Sequence, residues 1–339
     1  RNPRKTRRTR PQTRIGIAAN PRIPLPLRMA TFLVTGAAGF IGSHTCDQLL
    51  DAGHSVVGID NLRTGRLTNL DHARRNASFR FVPADITAPG CLGRLASETK
   101  PAAIIHLAAL VSVQESLSNP ELNHQLNVHA SHLIAEAARA HGIKRVVFAS
   151  SAAVYGDARE LPLSEQTSTR PISPYGAAKL ASEAILLGHA ASFGFVTRCH
   201  RYFNVYGPRQ DPMSPYSGVI SIFCDKLRAR IAPTIYGDGE QSRDFISVRD
   251  VARSNVLAAT VLQVPSGVAN ICTGRATTLN QLVKVLHKQI PCSPEAIHSA
   301  AKAGDVRHSL GAPETARADL GFTAAVSLQQ GLSDLLQHT

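Results

Sequence analysis

Tyr175 and Lys179 stand four residues apart in Tyr-Gly-Ala-Ala-Lys. Positions at that spacing share one face of a helix, so a phenol and an ammonium can act together. A free tyrosine titrates near about pH 10. A neighbouring ammonium favours the phenolate, so that the tyrosine can serve as a base near neutrality. Lys179 could also donate to a hydroxyl of a bound ligand. Ser151, 24 residues upstream at the end of an apolar run, would bond the reacting oxygen and help pass its proton. A Tyr-x-x-x-Lys by itself is commonly plain helix surface. Its meaning depends on the elements that position it.

The first of these spans residues 31–60. Phe32, Leu33 and Val34 read as a buried strand, Gly36, Gly39 and Gly42 follow, and Ile41, Leu49 and Leu50 lie on one face of a helix that Gly53 ends. A second apolar run, Val56 to Ile59, closes on Asp60. This βαβ unit has the glycines that a tight turn, a close pyrophosphate and a close helix–strand contact require. The helix N-terminus at Phe40 and Ile41 offers N–H groups to phosphates, and Asp60 is placed to accept from an adenosine ribose. Asn61 opens a polar loop, 61–66, that could wrap the adenosine end. A third strand over 79–82 leads to Asp85 and Ile86, near the expected adenine. A fourth, 102–107, ends at Leu107 and is followed by Ala108 and Ala109, small enough for backbone to lie against a flat ligand. A helix is expected over 120–140 with Asn127 on it. His124, His129 and His132 do not share one of its faces, so no metal site is expected.

Strands over 145–149 and 196–203, the second ending at Phe203, complete an alternation of strands and helices. The expected fold is α/β: a Rossmann-like, doubly wound parallel sheet with a smaller C-terminal α/β lobe. The sheet domain takes 29–203, with 245–262 returning to it; the lobe takes 204–339, beginning with a Pro-, Gly- and Tyr-rich binding loop over 204–218.

The formal charge of +13 is concentrated at one end. Residues 1–28 hold nine Lys and Arg and no acid, which leaves 28 bases against 24 acids in the rest. That stretch reads as a disordered basic extension ahead of a start at Met29, and the mildly basic remainder gives no reason to expect nucleic-acid binding. The six cysteines are widely spaced, which suggests reduced thiols and a cytoplasmic protein. No apolar stretch makes a membrane span.

Motifs through most of the chain resemble the extended short-chain dehydrogenases/reductases of the NAD-dependent epimerase/dehydratase family. They are Thr35-Gly-Ala-Ala-Gly-Phe-Ile-Gly42, Asp60-Asn-Leu62, His106-Leu-Ala-Ala109, Ser150-Ser-Ala-Ala-Val-Tyr-Gly156, Tyr175-Gly-Ala-Ala-Lys179, Arg201-Tyr-Phe-Asn-Val-Tyr-Gly-Pro-Arg209, Gly237-Asp-Gly-Glu-Gln-Ser-Arg-Asp244 and Gly304-Asp-Val-Arg-His-Ser309. The resemblance implies bound NAD with Ser151, Tyr175 and Lys179 as catalytic residues. Where dehydratases carry an Asp-Glu pair, this chain has Ala152-Ala153, as 4-epimerases do. The implied reaction is inversion of a UDP-hexose at C4 through a transient 4-keto sugar. Ser112, Asn204, Arg209, Tyr236, Arg243, Lys302 and Ser309 match family positions near the substrate. A serine at 309, beside the sugar C2 substituent, leaves room for an N-acetyl group, so UDP-GlcNAc/UDP-GalNAc is expected, with UDP-Glc/UDP-Gal beside it. A UDP-glucuronate epimerase or decarboxylase, or a non-catalytic dinucleotide sensor, are the alternatives. A homodimer is implied through the helices near 120–140 and 175–192.

Overall fold

The computed structural model describes residues 29–211, 218–301 and 306–337. The expected 1–28 extension lies outside the described residues.

Apolar runs with period two become strands whose side chains leave on alternate faces. Seven of them form an all-parallel sheet: β1 Thr31–Thr35, β2 Ser55–Asp60, β3 Phe79–Pro83, β4 Ala103–His106, β5 Arg145–Ser151, β6 Val196–Tyr202 and β7 Gly267–Ile271. Their order is β7-β6-β5-β4-β1-β2-β3. In β1, Phe32 and Val34 pack towards Cys46 and Leu49 of the helix Phe40–Asp51 and towards Val251 and Ala258 of the helix Val248–Thr260. Leu33 leaves on the other face, with Leu95 of Cys91–Thr99, Ile134 of Ala130–Ala140 and Leu186 of Pro174–Phe193. Full burial of each such side chain contributes roughly 1.5–3 kcal/mol.

Strand order reverses between β1 and β4. At such a point connections leave towards opposite faces and a crevice opens beyond the carboxyl ends. The Thr35 hydroxyl holds that crevice together. It bonds His106 Nδ1 at 2.8 Å and accepts from Leu107 N and Ala108 N, both at 3.2 Å.

The helix expected over 120–140 is continuous, but a π-helical turn, His124–His129, interrupts it. Of the expected 245–262 return, the helix Val248–Thr260 packs on the sheet through Val251 and Ala258, whereas Phe245–Ser247 pairs with Asn204–Tyr206 outside the seven-stranded sheet. Two further parts of the segment expected in the lobe also join it. Gly267–Ile271 is the edge strand beside β6, and the helix Glu314–Leu320 packs on the same core through Ala316 and Leu320. The reason is crossover connectivity: β6, the helix Val248–Thr260 and β7 continue the right-handed pattern of the sheet. The smaller lobe has its own core of Ile220, Phe223, Leu227, Leu282, Leu286 and Leu332. Short ladders brace it, among them Asn204–Tyr206 with Phe245–Ser247 and Ser242–Arg243 with Thr277–Thr278.

Candidate active site

A cleft of about 1990 Å³ runs along the carboxyl edge of the sheet and under the smaller lobe. Gly36, Gly39, Phe40, Ile41 and Gly42 form its floor. Gly36 has φ +69°, and a Cβ there would lie 2.7 Å from Ala108 N. A Cβ on Gly42 would lie 1.9 Å from Gly36 O. The turn therefore admits only hydrogen at these points, and the helix Phe40–Asp51 starts with no side-chain cap. Asp60 accepts from Ala38 N at 3.0 Å and Leu62 N at 2.8 Å. Burial raises its carboxyl above the usual range, against the pull of those N–H groups. Burial works the same way on Asp85, but bonds from Thr87 and Asn61 outweigh it and hold that carboxyl low. Asn61, Asp85, Ile86, Leu107, Ala108 and Ala109 all line the cleft.

At its centre stands the helix Pro174–Phe193. Ser173 caps it through Gly176 N at 3.1 Å. Gly176 lets it close on the turn after β5, since a Cβ there would meet Ala153 O at 2.6 Å. Tyr175, 9% exposed, and Lys179, 2% exposed, both face the cleft. The Lys179 ammonium donates to Ala149 O at 2.8 Å and lies 4.9 Å from the Phe148 ring centre. Burial lowers it to about 7, with the Glu183 carboxylate opposing. Burial raises the Tyr175 phenol, and a hydrogen bond with Ser151 pulls it back. The Lys179 ammonium lies 5.9 Å from the Tyr175 ring centre, and Ser151 is the hydrogen-bonding partner of the phenol.

Phe203, Asn204, Arg209, Tyr236, Arg243 and Ser309 line the opposite wall. Arg209, with φ +67°, pairs with Asp47 at 2.7 Å. Arg243 donates to Ser242 O at 2.9 Å, and Ser309 N donates to the same oxygen at 3.0 Å. Two expected residues are turned elsewhere. Ser112 is buried as the N-cap of the helix Val113–Ser118 and accepts from Glu115 N at 2.9 Å. Asn127 is buried beneath the cleft, its amide donating to Leu110 O at 3.0 Å and Asn123 Oδ1 at 2.8 Å. Lys302 lies outside the described residues.

Several cleft residues were not singled out from the sequence: Thr64, Gly65, Arg66 and Asn69 beside the Asp60 end, and Lys226 and His308 at the far wall. Thr64, Gly65 and Arg66 belong to the polar loop 61–66 and His308 to the Gly304–Ser309 motif, whereas Asn69 and Lys226 carry no sequence signal. Arg63 pairs with Glu115, and Arg66 with Asp211 at 2.5 Å, so this loop is tied to both sides of the cleft.

A glycine-turn cradle at a sheet's switch point, facing a Ser–Tyr–Lys group, defines a dinucleotide-dependent enzyme of the short-chain dehydrogenase/reductase kind. Residues 32–272 match the NAD dependent epimerase/dehydratase family, and the chain belongs to it. A putative UDP-glucose 4-epimerase of Methanocaldococcus jannaschii is 38% identical over 301 residues, 88% of this chain and 95% of the relative. Among solved structures, the UDP-glucose 4-epimerase of Thermotoga maritima with UDP-glucose matches at TM-score 0.85 and 37% identity, covering 91% of this chain and 98% of that one. The UDP-N-acetylglucosamine 4-epimerase of Methanobrevibacter ruminantium, in complex with UDP-N-acetylmuramic acid, matches at 0.87 and 34%, covering 92% and 98%. The protein is an NAD-dependent enzyme of the family's 4-epimerase branch.

The cradle fits NAD: the glycine floor leaves space for a pyrophosphate, the uncapped helix start offers donors, and Asp60 offers acceptors. Exposed ion pairs contribute at most about 1 kcal/mol each and are screened by salt. Arg66→Gln is therefore expected to speed NAD loss only about threefold, and high salt to do the same to the wild type. Cofactor retained after gel filtration checks this. Among the described residues no helix is long and apolar enough to cross a membrane, and no His, Cys, Asp and Glu group could hold a metal ion.

Proposed function

We propose that this enzyme interconverts UDP-hexoses at C4, acting on UDP-GlcNAc/UDP-GalNAc and also on UDP-Glc/UDP-Gal. The observation that supports this most is the Ser151–Tyr175 pair set beside the glycine cradle, with Ala152 and Ala153 as its neighbours. Among the described cleft residues the carboxylates are Asp60, Asp85 and Asp211. Asp60 and Asp85 lie at the ends of β2 and β3, three and four strands from β5. Elimination of water needs an acid beside the sugar; epimerisation through a ketone needs only a base at O4 and a hydride acceptor. NAD held by the glycine cradle and Asp60 would supply a hydride acceptor and donor for C4, so that the reaction has no net oxidation.

The remaining work falls to the protein. Tyr175 takes the proton from O4, with the Ser151 hydroxyl bridging, and gives it back after the 4-keto sugar has turned over in the cleft. Lys179 supplies positive charge and a donor beneath it. Asn204, Arg209, Tyr236 and Arg243 hold the nucleotide diphosphate at the far wall, and Ser309 leaves the sugar's C2 side open. Ser309→Tyr is expected to lower kcat/KM for UDP-GlcNAc by about 100-fold, while UDP-Glc turnover stays within a few-fold, because a bulky ring rejects the larger substrate. Both rates measured on one preparation check it.

We also propose a homodimer across the helix Pro174–Phe193, which leaves Ala177, Ala181, Ala184 and Gly188 exposed along one face for close helix approach. Sedimentation as a monomer would remove that reading.

The test of function is incubation with UDP-GlcNAc and UDP-Glc in parallel, without added cofactor, with products resolved by NMR. UDP-GalNAc formation supports the reading. No product from either substrate, even with NAD supplied, overturns it, and UDP-glucuronate then becomes the substrate to try.

A further inference from the structure

One helical turn beyond Lys179, away from the cleft, lies a buried ion pair that does not line it. Glu183 is 3% exposed and its partner Arg201, on β6, is 4% exposed. The guanidinium grips the carboxylate with both ends of its fork: Nε donates to Oε1 at 2.9 Å and Nη2 to Oε2 at 2.7 Å. The Ser150 hydroxyl, on β5 beside Ser151, donates to Oε1 as well. Arg201 Nη1 also donates to Tyr155 Oη at 3.0 Å, and Tyr155 in turn to Asn270 Oδ1 on β7 at 2.7 Å. One carboxylate thus joins the catalytic helix directly to β5 and β6, and through Arg201 and Tyr155 to β7.

Such a pair is a poor device for stability, because taking two charges out of water offsets most of their attraction. Its placement suggests another use. Ser150 precedes the residue that bonds Tyr175, so the tie to Ser150 sets how the helix is rotated and seated against β5. The same carboxylate lies on the helix face of Lys179. The other groups around Lys179 bring no negative charge. His106 of β4 is driven by burial to about 3, with Lys179 adding to the fall, and stays neutral. Burial, with Glu183, holds the Cys199 thiol of β6 in its protonated form. Burial also raises the Tyr155 and Tyr175 phenols, so neither adds a carboxylate-like charge, and the Arg201 cation paired with Glu183 offsets part of that carboxylate's field. Against burial, Glu183 is the group that favours the Lys179 ammonium.

We propose that Glu183, locked by Arg201 and Ser150, is a positioning residue of the reaction: it sets a carboxylate on the helix face of Lys179 and seats the helix so that Tyr175 meets Ser151. This rests on the epimerase reading for its rate effect, but not for its effect on Lys179. Loss of the carboxylate should lower the pH at which Lys179 gives up its proton by about one unit. If the charged lysine is the working form, the alkaline fall of kcat then begins at correspondingly lower pH, and at mildly alkaline pH turnover drops about tenfold.

The test compares the NAD-loaded wild type with Glu183→Gln and with Glu183→Gln/Arg201→Met, which strands no buried guanidinium if the single variant fails to fold. Two quantities are read: the pH profile of UDP-hexose turnover, and the titration of the Lys179 side chain by NMR with ¹³C-lysine, assigned by the signal missing in Lys179→Met. In Glu183→Gln, which keeps the Arg201 charge, both midpoints should move down; in the double variant, which removes the opposing cation as well, the Lys179 midpoint moves less while kcat still falls because the helix loses its tie to Ser150. An unmoved Lys179 midpoint in folded Glu183→Gln, or an unchanged kcat in the double variant, overturns the proposal. If no UDP-hexose is turned over, the functional reading fails, while the NMR titration still decides whether Glu183 acts on Lys179.

Discussion

Tyr175→Phe is expected to lower kcat on a UDP-hexose by about 1000-fold, within the range that a positioned acid–base group supplies. KM should change little, because the phenol acts on O4 and not on the nucleotide. The substitution is a clean one here. The ring is buried against the helix start and keeps its packing as phenylalanine, and only the oxygen bonded to Ser151 is removed. Lys179 stays anchored to Ala149 O, so the floor beneath the ring is untouched. Single-turnover measurement of 4-keto sugar formation checks it. A fall of less than about tenfold would mean that another group takes the proton.

The second large effect is expected at the glycine cradle. Gly42→Ala places a Cβ 1.9 Å from Gly36 O and 2.8 Å from Gly36 C, both backbone atoms that have no rotamer to change. The helix Phe40–Asp51 would have to move away from the turn, which costs about 3 kcal/mol or more when a packed site is overfilled. Because the same turn must receive the pyrophosphate, NAD affinity should fall by at least about 100-fold together with stability. Gly53→Ala is the control. Gly53 has φ +82° with nothing within 4 Å of a Cβ, so the cost there is backbone strain of about 1 kcal/mol. Its NAD content should match the wild type. Thermal unfolding and bound cofactor, measured on both variants, separate the two outcomes. Equal NAD content in Gly42→Ala and Gly53→Ala would sink the argument.

The parts of the site that could be read from the chain are those in which chemistry and local conformation coincide. Gly36, Gly39 and Gly42 lie within one turn, and a βα connection with that spacing has few other uses. Tyr175 and Lys179 share a face because helical period alone puts them there. Ser151, Asp60 and Asp85 end strands, and strand ends in a parallel sheet meet at one edge. These residues do line a single cleft.

Ser112 and Asn127 show where such reading stops. Each lies near the site in the chain, but direction is set by what a polar group can bond. Ser112 satisfies an orphan N–H at a helix start. Asn127 falls within the π turn His124–His129, which alters the helical phase, and its amide is drawn to Leu110 O.

What the sequence by itself determined was the alternating α/β pattern, the glycine-rich dinucleotide turn and the placing of Tyr175 and Lys179 on one helix face, all properties of short periodic segments. Only the tertiary structure decided that Gly267–Ile271 closes the sheet beside β6, that loop 61–66 is tied across the cleft by Arg63 and Arg66, and that Glu183 is held by Arg201, 18 residues away. Each of these depends on which distant segments meet. That is settled by burial of whole faces and by pairing of the charges buried with them, and no local period records it.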